Sequence, residues 1–88
     1  MHEMSLISNL LNKIEVLAKE QDATQISSVS VKLGALAHIS AEHFKEHFET
    51  GTKGSLAEGA KLIIETSSDI NDPNAQDILL KSIEVECN

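Results

Sequence analysis

Arginine, tyrosine and tryptophan are absent from this 88-residue chain, and cysteine and proline occur once each. Each absence removes an explanation. Seven lysines stand against fourteen acids, a net charge of -7. Without clustered cations the chain is not built to neutralise nucleic-acid phosphates or to lie on an anionic membrane. An acidic surface suits a protein that attracts cations or meets a basic partner. The single cysteine, Cys87, forms neither an internal disulfide nor a cysteine zinc cluster; its plain reading is a small terminal side chain. No stretch approaches the roughly 20 apolar residues of a membrane span. The first residues lack the basic-then-apolar pattern of a secretory signal, so a cytoplasmic location is expected.

What is present fits one domain with one small core: 41% of the residues are hydrophobic. The only aromatics are Phe44 and Phe48, so Leu, Ile, Val and Ala must fill the interior. Residues 5–20 predict an amphipathic helix, with Leu6, Leu10, Ile14 and Leu17 at helical spacing and Ser5 placed to cap it. Residues 28–33 predict a strand, in which Val29, Val31 and Leu33 alternate with Ser28, Ser30 and Lys32. Gly34 ends it and 34–39 is a connector. Ser40 offers an N-cap to a second helix, 41–50, which places Phe44 and Phe48 on one face.

Residues 60–65 predict a second strand. The stretch 66–76 holds the lone Pro73 and reads as a loop. Residues 78–86 predict a third strand, with Leu79, Lys81, Ile83 and Val85 as its more apolar parity. The expected fold is a single α+β domain over 1–88, ordered α-β-α-β-β. Two helices would pack on one face of a three-stranded mixed sheet, its second and third strands paired antiparallel.

Four blocks carry a family resemblance: Met1-His2-Glu3-Met4-Ser5-Leu6; Gly34-Ala35-Leu36-Ala37-His38-Ile39; Phe48-Glu49 followed by Gly54-Ser55-Leu56-Ala57-Glu58-Gly59-Ala60-Lys61-Leu62; and Lys81-Ser82-Ile83-Glu84-Val85-Glu86. In this order they resemble the HypA/HybF nickel chaperones of hydrogenase maturation. That resemblance implies transient Ni(II) binding at Met1, His2 and Glu3, with no catalysis. It implies delivery to a nickel-iron hydrogenase. The implied partners are a nickel-handling maturation GTPase and the hydrogenase large subunit. The family also implies a zinc domain with two Cys-x-x-Cys pairs between the last two strands. This sequence has neither pair, so no structural zinc is expected, and 66–76 stands where that domain would enter.

The N-terminal chemistry suits nickel. The Met1 amine, the His2 amide nitrogen and the His2 imidazole can close two fused chelate rings around one ion. Glu3, water or a partner's ligand would take the fourth position. Tetragonal nitrogen and oxygen sites favour Ni(II) and Cu(II) over tetrahedral Zn(II). Amine and imidazole must both be deprotonated, so binding should weaken below about pH 6.5.

Other residues offer weaker signals. His43 and His47 share a helix face and could clamp a metal, although two solvated histidines flanking the Phe face is the blander reading. Phe44 stands where a zinc-protease motif needs its glutamate. His38, in the connector, is a metal or partner candidate against a turn-capping reading. Gly51, Lys53 and Gly54 lack P-loop spacing and read as a turn. No catalytic arrangement is recognisable. The competing function is a metal-independent module that docks a hydrogenase or maturation partner. A strained connection between the last strands would instead favour strand exchange between two copies.

Overall fold

The computed structural model describes residues 3–37 and 39–87, with side chains from Ile7 onward. Helix α1 spans Glu3–Glu20 and α2 spans Ala41–Gly51; strands β1, β2 and β3 span Ala23–Leu33, Lys61–Thr66 and Ile78–Cys87. Ile7, Leu10, Ile14 and Ala18 recur every three or four positions on α1, and all four are buried. The helix starts at Glu3, so Ser5 lies inside it and does not cap it. Asp22, with φ of 55°, reverses the chain into β1; aspartate tolerates this left-handed conformation better than most residues.

The sheet order is β2-β1-β3. β1 runs parallel to β2 and antiparallel to β3. The expected β2–β3 pairing is therefore incorrect, because β1 lies between them. The α2 crossover delivers β2 parallel to β1 on one edge, which leaves the other edge for β3. The connection after β2 is thus no hairpin, and the premise of a strained hairpin fails with it. It covers 67–77, since Thr66 still belongs to β2.

Bulges explain two further differences. β1 begins at Ala23, five residues before the expected start, because register shifts occur between Ala23 and Gln25 and between Ile26 and Ser28. Each shift inserts a residue and interrupts the period-two pattern. Ile26 and then Val29, Val31 and Leu33 consequently share the buried face. A third shift moves the ladder from Ser30–Ser82 to Val31–Leu80. β3 therefore turns Ile78 and Leu80, then Ile83 and Val85, toward the core. Leu79 pairs with Lys32 instead, which corrects the uniform Leu79–Lys81–Ile83–Val85 parity.

Both helices cover the same sheet face. Phe44 and Phe48 join the α1 residues and the apolar face of β1 in one cluster, their rings 6.3 Å apart. Fully burying a side chain of this size contributes about 1.5–3 kcal/mol. On the opposite face, Lys81 of β3 reaches over β1 to Glu65 of β2, at 2.6 Å. That salt bridge and hydrogen bond hold the Glu65 carboxyl below its ordinary pKa, with a lesser pull from Lys32.

Candidate metal site

Among the described ligand candidates, His43 and His47 are carried by α2. Ser40 caps α2, its hydroxyl accepting from the His43 amide at 3.1 Å. Thr52 closes the other end: its amide and hydroxyl both donate to the Phe48 carbonyl, at 3.0 and 2.8 Å. Between these caps, Phe44 and Phe48 lock the helix face into the core. His43 and His47 each precede one of these anchors, so their backbone positions are fixed although their side chains reach solvent. Their ring centroids stand 4.7 Å apart with an interplanar angle of 33°.

The connector ahead of α2 is tied down. The Gly34 amide donates to Asp77 at 3.0 Å, and the Leu36 amide to Ala75 at 2.7 Å. A Cβ at Gly34 would lie 2.2 Å from the Ala75 carbonyl oxygen, so glycine is needed for this approach.

α1 and α2 begin at the same end of the fold. α1 turns directly into β1 and so runs against it. α2 links the end of β1 to the start of a parallel strand and must do the same. The end where β1 finishes therefore carries Glu3, the first residue of α1, together with the first turn of α2.

Of the predicted ligands, His43 and His47 are brought together. Met1, His2 and His38 lie outside the described residues, as does the Glu3 side chain. No group of three or more His, Cys, Asp or Glu able to hold a metal occurs among the described residues. Cys87 lies against the Gln21 carbonyl at 3.4 Å. The Glu65–Lys81 pair escaped sequence reasoning because its members sit on strands separated by β1. A recess of about 110 Å³ between α1 and the end of α2, and another of about 230 Å³ between α1 and β3, fall below the usual size of organic-ligand pockets. No helix among the described residues is long and apolar enough to cross a membrane.

Fold and residues together define a small α+β domain in which His43 and His47 stand together on α2. The family described as hydrogenase/urease nickel incorporation, metallochaperone, HypA matches residues 1–71. The hydrogenase maturation factor HypA of Azotobacter vinelandii is 42% identical over 64 residues, covering 73% of this chain and 57% of that protein. The Archaeoglobus fulgidus HypA is 39% identical over 64 residues, covering 73% and 58%. The chain therefore belongs to the HypA family of metallochaperones. Its aligned part spans little more than half the length of these relatives, and the family match ends at residue 71, before β3. The solution structure of the Ni metallochaperone HypA from Helicobacter pylori has a TM-score of 0.80 at 23% identity, covering 100% of both chains. That likeness shows the fold, β3 included.

Proposed function

We propose that this chain binds Ni(II) through the Met1 amine, the His2 amide and imidazole, and Glu3, and delivers it during nickel-iron hydrogenase maturation. The observation that carries this reading is the family match starting at residue 1, which places Met1-His2-Glu3 inside it. The nickel is cargo. Three nitrogens in a plane leave the fourth position to the more labile Glu3 oxygen, which favours exchange, because a partner ligand replaces Glu3 before the nitrogens leave. The partners in this reading are a maturation GTPase and the hydrogenase large subunit, met in the cytoplasm. The 67–77 connection stands where full-length relatives would insert a zinc domain.

The test is a calorimetric Ni(II) titration of three proteins: the unmodified chain, His2→Ala, and a variant with one residue added before Met1. The unmodified chain should bind at least tenfold more tightly than the other two, and its affinity should fall below about pH 6.5 as free imidazole protonates. Equal affinity in all three removes the site. The competing docking module, suggested by the partial coverage of relatives, predicts that His2→Ala still captures a hydrogenase or maturation partner while no nickel travels with the complex.

A further inference from the structure

The histidines of α2 fall on one ridge with Gly51, since positions 43, 47 and 51 are spaced four apart. A Cβ at Gly51 would lie 2.6 Å from Leu11 Cδ1. The carboxyl end of this ridge therefore borders α1. Both helices run the same way, so His43 and the first turn of α1 lie toward the same end of the fold.

The ring separation matches a chelate. A metal bound to imidazole nitrogen at about 2.0–2.1 Å lies roughly 3.2 Å from the ring centre. Two such rings at about 90° to 110° around one ion place their centroids about 4.5–5.2 Å apart. The observed 4.7 Å is inside that interval. Spacing of i and i+4 on a helix is also how the paired histidines of zinc proteases share one ion. The backbone of both residues is held by the Ser40 cap and the buried phenylalanines.

Charge acts in both directions. The amino end of α2 opposes a cation. Glu42, Glu46 and Glu49, all exposed on this helix, oppose that effect and raise the local cation concentration.

We propose that His43 and His47 form a two-imidazole site for a late divalent transition metal, Ni(II) being the relevant ion, separate from the N-terminal chelate. The remaining coordination positions are open to water and to incoming ligands, so the site holds the ion loosely. It stands without the N-terminal reading.

The experiment uses the full chain with one residue added before Met1 and His2→Ala, which disables the N-terminal chelate. Ni(II) is titrated by calorimetry. Sub-stoichiometric Cu(II) is then added as a paramagnetic probe while histidine ring signals are followed by NMR. One equivalent of Ni(II) should still bind, at least tenfold more weakly than to the unmodified chain if the N-terminal chelate also operates. His43→Ala and His47→Ala should each weaken this binding at least tenfold. The double variant should lose little more, because removing either donor already destroys a two-donor chelate. The His43 and His47 signals should broaden together, ahead of His38.

Affinity unchanged within twofold in both single variants, or broadening that spares this pair, overturns the proposal. The NMR reading uses the native α2 side chains, so a variant that misfolds does not decide the matter. Failure of the N-terminal reading is seen separately, as equal nickel affinity of the unmodified and His2→Ala chains.

Discussion

The two halves of the sheet are built differently. From Ser28–Lys61 to Leu33–Thr66 the parallel β1–β2 ladder runs without a shift. The antiparallel β1–β3 ladder has three. The parallel half is closed by α2, whose two phenylalanines are buried against it. Slipping that register would move the core set of β2 to the wrong face. Two of the three shifts lie in β1 between Ala23 and Ser28, ahead of most of its pairing with β2, and the third lies in β3, an edge strand in which a bulge is readily accommodated. The paired histidines ride on the helix of the regular half. The irregular half carries the segment at which the family match ends.

The largest test of this contrast is in the core. Phe48→Ala should cost about 3–5 kcal/mol in urea unfolding. Ile83→Ala, in the half-buried core of β3, should cost about 2 kcal/mol, at the low end for such truncations. Equal losses would mean that the β3 half is as tightly specified as the other.

Gly34→Val attacks the junction of the halves. The added Cβ meets backbone at Ala75, which has no flexible end to give way. A loss of about 1–3 kcal/mol is expected, together with faster amide exchange at Leu36, whose hydrogen bond to Ala75 would be strained. Unchanged exchange there would separate the connector from the 67–77 segment. Thr52→Val should cost about 1 kcal/mol, since it removes the buried hydroxyl bond to Phe48 while the amide bond persists.

The smallest effect concerns the pair that bridges both halves. Lys81→Met should return the Glu65 carboxyl to the ordinary glutamate range, as read by carbon NMR of the carboxyl group. Lys32→Met should move it less. The sign follows from linkage. A folded pKa held below the unfolded one means that the unfolded state binds more protons in acid. The contribution is therefore present at neutral pH and is lost as pH falls through the folded pKa of Glu65. The pair is exposed, so salt should diminish it. A larger shift in Lys32→Met would mean that Glu65 answers to the central strand and not to β3.

Much of the fold was legible. Helical spacing located α1 and α2, Ser40 marked the start of α2, and strict alternation located the second half of β1. The differences within β1 and β3 have one cause: bulges. Residues 23–27 hold two shifts and so show no alternation. In β3 a shift between Leu80 and Ser82 exchanges the parity midway. Strand order was illegible for another reason. β2 and β3 are adjacent strands in sequence, and local patterns do not say that an earlier strand lies between them.

The sequence by itself determined the class of protein: an acidic chain of two helices and three strands, with a family resemblance opening at Met1-His2-Glu3. Those properties are local, written in residue type and short spacing. Only the tertiary structure decided that β1 is central, that Lys81 meets Glu65 across it, and that Gly34 and Leu36 are tied to Asp77 and Ala75. Such relations join residues far apart in the chain, and they exist only once the core has fixed the helices against the sheet.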